Sequence, residues 1–157
     1  MINKNFSTKY LYLVLAIILC MGIGFISGQL TDTNSDWFLN LEKPVIYPPG
    51  YLFGLVWSVL YFLMGVSLYL IIIKTKDKLP YILFGSQLVL NFFWTIIFFG
   101  LKNILFSIIE ILVLWALILW TIIIFRKHSK TAAYLLIPYI LWVTFATILT
   151  VSIFFIN

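Results

Sequence analysis

Five long apolar runs dominate the sequence and limit what the chain can fold into. About 20 apolar residues are enough for an α-helix to cross a hydrocarbon core of about 30 Å. Because no water satisfies backbone groups inside that core, each run is expected to be helical. We therefore predict an all-α integral membrane protein, a bundle of five transmembrane helices in a single domain over residues 1–157. The runs, called spans 1 to 5 here, cover approximately residues 11–29, 51–73, 79–99, 104–125 and 132–156.

The composition agrees with a lipid environment and excludes several classes of protein. Hydrophobic residues make up 64% of the chain and charged residues 10%, whereas soluble domains carry about 25% charged residues. A water-soluble enzyme is therefore excluded. One cysteine and one histidine predict neither a disulfide framework nor a metal site, and we expect no required cofactor. The net charge of +5 predicts no nucleic-acid partner, because the cations lie in short clusters between the spans.

The distribution of lysine and arginine predicts the orientation of the chain. Five spans would place eight of these cations on the side of the amino terminus and two on the other side. Cytoplasmic loops carry an excess of Lys and Arg. We therefore predict a multi-pass cell-membrane protein with a cytoplasmic amino terminus, and with the carboxyl terminus and loop 31–50 outside. The two sets are Lys4, Lys9, Lys74, Lys76, Lys78, Arg126, Lys127 and Lys130, against Lys43 and Lys102.

The connection over residues 31–50 is the only long one between spans. Irregular connections longer than about 12–15 residues are usually functional or disordered. Prolines such as Pro44 stiffen this one, and Trp37 and Tyr47 give it apolar surface for packing. We predict a lid over the outer mouth of the bundle, with an unstructured linker as the alternative.

Four chemically distinctive residues fall in one layer beneath this loop. At a rise of 1.5 Å per residue, Trp57, Asn91, Trp94 and Glu110 lie about 8–12 Å below the outer ends of their helices. Each has an alternative role: an interfacial anchor for the tryptophans, an interhelical hydrogen bond for Asn91, and a structural hydrogen bond for Glu110. An intramembrane carboxyl group is nonetheless a functional-site candidate that should face the bundle interior.

Aromatic and polar side chains recur at helical spacing on three spans. Together with the loop above them, these faces predict a cavity for a large, flat, apolar ligand, with a filled aromatic core as the alternative. The faces comprise Phe53, Trp57, Tyr61 and Met64 in span 2, Gln87, Asn91, Trp94, Thr95 and Phe98 in span 3, and Tyr139, Trp142, Phe145, Ala146 and Leu149 in span 5.

Two further patterns concern packing. Small residues recur every fourth position along span 1, at Ala16, Cys20, Gly24 and Gly28, and allow close approach of another helix. We favour packing within the chain over dimerisation through this ridge, while Gly85 and Ser86 leave a homodimer through span 3 open. Pro138 predicts a kink in span 5.

Segments of the loop and of spans 2 to 5 resemble, in order, the tryptophan-rich sensory protein and translocator protein family (TspO/MBR). The loop contains Trp37, then Lys43-Pro44, Tyr47-Pro48-Pro49, and span 2 continues with Phe53-Gly54, Val56-Trp57, Leu60-Tyr61 and Met64-Gly65. Span 3 contains Gln87, Leu90-Asn91, Trp94 and Phe98-Phe99-Gly100. Spans 4 and 5 add Glu110-Ile111, Leu114-Trp115, Pro138-Tyr139, Trp142 and Phe145-Ala146.

The resemblance implies a five-helix bundle, commonly dimeric, that binds porphyrins such as protoporphyrin IX and hydrophobic drug-like ligands beneath the first loop. It also implies roles in tetrapyrrole and stress regulation, light-dependent porphyrin degradation, and sterol binding or transport in eukaryotic members. By resemblance, Trp57 and Trp142 match the pocket tryptophans implicated in porphyrin chemistry, and Trp37, Pro44, Asn91 and Trp94 match other pocket or lid positions.

Three features depart from the family pattern. Ile46 stands where the family usually has an aromatic residue, which removes a stacking surface from the lid. Thr150 replaces a common asparagine. The last ten residues contain no tyrosine followed by lysine or arginine, so sterol recognition through that weak signature is not predicted.

Our first functional hypothesis is a membrane receptor or sensor for porphyrin-like ligands. The alternatives are light-dependent porphyrin degradation, with Trp57 and Trp142 as the catalytic residues, and a transporter of small hydrophobic molecules coupled through Glu110. The expected ligand-binding residues are Trp37, Pro44, Tyr47, Phe53, Trp57, Tyr61, Asn91, Trp94, Phe98, Glu110, Trp142, Phe145, Ala146 and Leu149.

Overall fold

The computed structural model describes residues 4–157, with side chains from Thr8 onward, and these residues form a helical bundle. Five segments are long and apolar enough to cross a membrane, so the chain is a multi-pass membrane protein and the predicted all-α architecture is confirmed. These segments are Thr8–Gln29, Gly50–Ile72, Lys78–Gly100, Ile104–His128 and Lys130–Ile156. The helices are α1 (Lys4–Gln29), α2 (Asp36–Asn40), α3 (Gly50–Ile72), α4 (Lys78–Thr95), α5 (Ile104–His128), α6 (Lys130–Leu135) and α7 (Ile137–Ile156), with a π-helical turn at Ile96–Gly100 after α4.

The two ends of the bundle differ in character. One end, called the loop end here, carries residues 30–49, the turn at 101–103 and the last residue of the chain. The opposite end, called the cationic end, carries the short connections around Lys76 and Ser129. Between them α1 packs on α3, α4 on α5, and α5 on α6 and α7.

The interface between α1 and α3 depends on glycines at two positions. A Cβ atom on Gly24 would lie 2.3 Å from the ring of Tyr61, and one on Gly65 would lie 2.7 Å from the Cα of Ile17. Ala16 and Cys20, on the same ridge, are buried. Because this ridge contacts α3 of the same chain, the prediction of packing within the chain is confirmed.

Span 5 is divided into two helices at Leu136, as the proline predicts. Pro138 lies in the first turn of α7, where a residue without a backbone N–H leaves no hydrogen bond unmade. The Leu136 backbone N–H instead bonds to the Ala133 carbonyl oxygen at 3.1 Å, which closes α6. The break permits α6 to contact α3 and α5 while α7 continues along α5.

The apolar core fills the half of the bundle nearer the cationic end. Met64, Ile71, Ile118 and Phe125 are completely shielded from solvent, and the rings of Phe84 and Phe125 stack with centroids 5.9 Å apart. Close packing in this half gives the helices a rigid base. The half nearer the loop end is not filled in the same way, and the candidate site lies there.

Candidate functional site

A cavity of about 820 Å³ opens at the loop end of the bundle. It is bounded by α1, the loop, α3, α4 with its π-helical turn, α5 and α7. Small-molecule sites typically measure about 300–1,000 Å³, so the volume suits one sizeable ligand. Ten of the residues expected at a ligand site line it: Tyr47, Phe53, Trp57, Tyr61, Asn91, Trp94, Phe98, Trp142, Ala146 and Leu149.

The loop over the cavity is folded, as the lid hypothesis predicts. Its short helix α2 turns Phe38 inward, where the ring is 5% exposed and packs with Phe98 and Ile153. Tyr47 packs against Phe53 with ring centroids 5.4 Å apart. Burial raises the pKa of Tyr47 to about 12, because desolvation disfavours the phenolate.

Polar contacts hold the lid in place. The Lys43 ammonium group donates to the carbonyl oxygens of Phe38 at 2.9 Å and Leu41 at 3.3 Å, and lies 4.5 Å from the centre of the Phe38 ring. The Glu42 backbone N–H donates to Asn157 Oδ1 at 2.9 Å, and Asn157 Nδ2 donates back to the Glu42 carbonyl at 3.1 Å. The lid is thus joined to the end of α7.

Aromatic rings form much of the cavity wall. Trp57 lies between Tyr61 at 5.5 Å and Tyr139 at 6.2 Å, measured between ring centroids. Phe53 and Trp142 meet edge to face at 5.6 Å. The helical spacing that predicted these faces explains why α3 and α7 turn them toward one space. Such walls offer a ligand apolar contact and stacking surface.

The π-helical turn determines the direction of Phe98. The Leu101 N–H bonds to the Ile96 carbonyl at 2.8 Å, five residues earlier, so the turn is one residue wider than an α-helical turn. Phe98 is 2% exposed and stacks on Trp94 while meeting the ring of Trp37 edge on at 5.5 Å. It therefore joins the cavity wall to the lid.

Polar side chains from α1, the lid, α3, α4 and α7 contribute to the cavity wall, and two buried indole N–H groups of wall residues have no partner among the described residues. The Tyr61 hydroxyl donates to Asn91 Oδ1, and the Ser27 and Thr95 hydroxyls are 2.8 Å apart. By contrast, the indole N–H groups of Trp94 and Trp142 are buried and make no hydrogen bond within the described chain. An unpaired buried donor costs about 1–3 kcal/mol, and a ligand that carries acceptors would relieve that cost once the indole rotates to turn its N–H toward the cavity.

Four expected site residues do not line the cavity. Trp37 packs on Phe98 from the lid side, and Phe145 packs on the other side of Trp142 at 5.5 Å, facing a shallow surface groove. The Pro44 carbonyl accepts a hydrogen bond from the Tyr47 N–H at 2.8 Å, which closes a turn of the lid. Glu110 is buried in α5, and neither carboxyl oxygen has a partner among the described residues.

Several wall residues were not expected from the sequence. Gly24, Ser27 and Gly28 place α1 in the wall, and Lys43 and Thr150 contribute from the lid and α7. The ridge of small residues was the available signal for α1, although it was interpreted only as a packing surface. Ile46, where an aromatic residue was expected by resemblance, is 55% exposed and is not part of the wall.

Comparison with known proteins gives consistent similarities over most of the chain. The model of the TspO/MBR family matches residues 16–156. The chain is 39% identical to the tryptophan-rich protein TspO of Archaeoglobus fulgidus, over 94% of this chain and 97% of that protein. It is 36% identical to the tryptophan-rich protein TspO of Chlorobaculum tepidum, over 95% and 98%. The translocator protein of Homo sapiens is 32% identical, over 82% of this chain and 77% of its own length.

Proposed function

The chain belongs to the TspO/MBR family, and on that premise we propose that it is a membrane receptor or sensor that binds a porphyrin in the cavity beneath the lid. Family membership supports the membrane sensor or receptor role. The porphyrin ligand is the more specific part of the proposal, and it depends on the chemistry of the cavity. Flat hydrophobic drug-like molecules would compete for the same space.

The observation that carries this proposal is the pairing of an aromatic wall with two unpartnered indole donors. A porphyrin such as protoporphyrin IX presents flat apolar faces and carboxylate side chains. Its faces would stack on rings such as Trp57 and Phe98, and its carboxylates would accept hydrogen bonds from the N–H groups of Trp94 and Trp142 after these indoles rotate toward the ligand. The volume of about 820 Å³ falls within the range of ligand sites.

Protoporphyrin IX binding to the purified protein tests this proposal. We expect saturable quenching of tryptophan fluorescence at micromolar ligand, and at least about a tenfold weaker Kd for Trp57→Ala, a loss of about 1.4 kcal/mol. The matched control is Trp120→Phe, because Trp120 is 49% exposed on the outer face of α5. The proposal fails if no saturable quenching occurs, or if Trp57→Ala and Trp120→Phe bind equally well.

The positions of Trp57 and Trp142 favour a second candidate, light-dependent degradation of the bound porphyrin. Both indoles line the cavity, where they would donate electrons to a photoexcited porphyrin or trap the reactive oxygen products that it forms from dioxygen, the oxidant in the degradation. The porphyrin would absorb the light, and the chain would hold the porphyrin in place in an environment poor in water. Under illumination, the Trp57→Phe and Trp142→Phe variants should lose bound porphyrin more slowly than the wild-type protein does. Degradation at the wild-type rate in both variants would exclude this role.

The orientation and the homodimer are also proposals. The excess of Lys and Arg at the cationic end would place that end in the cytoplasm, with the lid outside.

On α4, a Cβ atom at Gly85 would meet nothing within 4 Å, so this position leaves room for the helix of a second copy. Light scattering in detergent on the protein and on Gly85→Phe tests that interface, with conversion of dimer to monomer as the expected result.

A further inference from the structure

Part of the cavity wall faces the lipid instead of the bundle interior. Inside the ends of α1 and α3, at Gln29 and Gly50, five residues both line the cavity and are exposed on the outer surface: Met21, Phe25 and Gly28 on α1, and Gly54 and Ser58 on α3. Phe25 is 69% exposed. A residue in the wall of a closed cavity would be shielded by its neighbours, so the cavity is open sideways between α1 and α3.

This opening lies at the depth of the acyl chains. Phe25 and Gly54 are each four residues from the loop ends of their membrane spans, at Gln29 and Gly50, or about 6 Å at a rise of 1.5 Å per residue. A hydrocarbon core is about 30 Å thick, close to the length of these spans. The gap between the helices therefore extends from the loop end into the apolar layer.

Glycines determine where the helices meet and where they leave space. A Cβ atom at Gly28 or Gly54 would meet nothing within 4 Å, whereas a Cβ atom at Gly24 would collide with the ring of Tyr61. Further toward the cationic end, Gly65 lies against the backbone of Ile17. The two helices are thus in close contact from Gly24 downward, and this contact forms the floor of the opening.

The edges of the opening suit an apolar molecule. The Ser58 hydroxyl donates to the Gly54 carbonyl at 2.8 Å, so it presents no unmet donor to the lipid. The side chains of Met21 and Phe25 add apolar surface on the opposite edge. Within the described residues, none of the five that border the opening carries a charge, and a hydrophobic molecule would cross without desolvating an ion.

We propose that the gap between α1 and α3 is a lateral portal through which a membrane-dissolved apolar ligand enters and leaves the cavity. This inference rests on the proposed ligand-binding function and adds the route by which the ligand arrives. The route through the bilayer would leave the lid closed during exchange, since Lys43 and Asn157 hold the lid in place at the aqueous end.

Kinetics in vesicles test the portal directly. Gly28→Leu and Gly54→Leu would fill it, and Gly22→Leu is the matched control, because a Cβ there also meets open space but Gly22 does not line the cavity. Phosphatidylcholine vesicles preloaded with protoporphyrin IX are mixed with the reconstituted protein. Obstruction of a route slows association and dissociation together, and we expect both rates to fall about tenfold, a rise in barrier of about 1.4 kcal/mol.

The two rates together distinguish a blocked portal from a loss of ligand space in the cavity. If the two portal variants exchange ligand as fast as Gly22→Leu, or if association slows while dissociation accelerates, the portal is wrong. The second pattern would mean that the leucines merely occupy ligand space in the cavity.

A measurement without porphyrin separates failure of the portal from failure of the proposed function. In a Trp120→Phe background, phospholipids brominated in the acyl chain should quench the cavity tryptophans through the opening. That quenching should fall in Gly54→Leu and persist in Gly22→Leu. Equal quenching in both would overturn the portal even if the wild-type protein bound no porphyrin.

Discussion

The indole of Trp94 lies parallel to the ring of Phe98, with centroids 5.1 Å apart and 12° between the planes. Trp94 belongs to α4 and Phe98 to the π-helical turn that follows it. Phe98 in turn contacts Trp37 and Phe38 of the lid. The stacked pair therefore connects transmembrane helix α4 to the lid through direct ring contacts.

Removal of the Phe98 ring should loosen the lid and lower stability. Phe98→Ala deletes a side chain that is 2% exposed, and Phe→Ala changes in packed cores cost about 3–5 kcal/mol. The thermal unfolding midpoint in detergent and the rate of proteolysis within residues 30–49 both report the effect. Phe106→Ala, on the exposed face of α5, should change neither value. Equal shifts in the two variants would contradict the role assigned to Phe98.

The hydrogen bond between Tyr61 and Asn91 should contribute measurably to stability. Tyr61→Phe removes the donor and leaves Asn91 Oδ1 without this partner, at an expected cost of about 1 kcal/mol. A double-mutant cycle with Asn91→Ala, followed by unfolding in mixed micelles, isolates the interaction. We expect a coupling free energy of about 0.6–1.7 kcal/mol, the range for strong pairs in membranes. Strict additivity of the two changes would exclude the bond.

The contact of Gly24 with Tyr61 should tolerate no side chain. Gly24→Ala places a Cβ atom 2.3 Å from the ring, and overpacking of this kind costs about 1–3 kcal/mol. Gly22→Ala on the same helix meets open space and should be neutral or slightly stabilising, because alanine has the higher helix propensity. Unfolding free energies of the pair give the comparison, and similar values would contradict the close approach of α1 and α3.

The proposed orientation can be measured in intact cells with a membrane-impermeant maleimide. In a Cys20→Ala background, Leu39→Cys places a thiol at an exposed lid position and Lys130→Cys places one at the cationic end. We expect the lid cysteine to react at once and the other to react only after permeabilisation. The reverse pattern would show that the lid faces the cytoplasm.

The sequence predicted the fold well because its strongest signal, apolar length, is also the physical requirement for a transmembrane helix. The aromatic faces of spans 2, 3 and 5 were identified for the same kind of reason. A repeat at helical spacing defines a face, and Trp57, Asn91 and Trp142 do share the cavity. The break in span 5 near Pro138 was also predictable, because a proline lacks a backbone N–H and affects the helix next to it whatever the rest of the fold.

Other features depend on tertiary geometry that a single sequence does not display. Glu110 was placed at the correct depth, but the rotation of α5 turns Ile111 and Leu114 toward the cavity instead. Phe145 follows the spacing of its face yet lies behind Trp142. No pattern in the sequence predicts the π-helical turn. The glycines of α1 line the cavity because they leave space, and not through side-chain chemistry.

Filling the cavity tests the central claim most directly. Ala146 lines the cavity, whereas Ala116 is exposed on the outer face of α5, so Ala146→Trp and Ala116→Trp add the same bulk inside and outside. The measurement is a titration of protoporphyrin IX followed through its Soret absorption. We predict that Ala116→Trp binds one equivalent with wild-type affinity and that Ala146→Trp binds at least about tenfold more weakly. Equal affinity in the two variants would show that the porphyrin does not occupy this cavity.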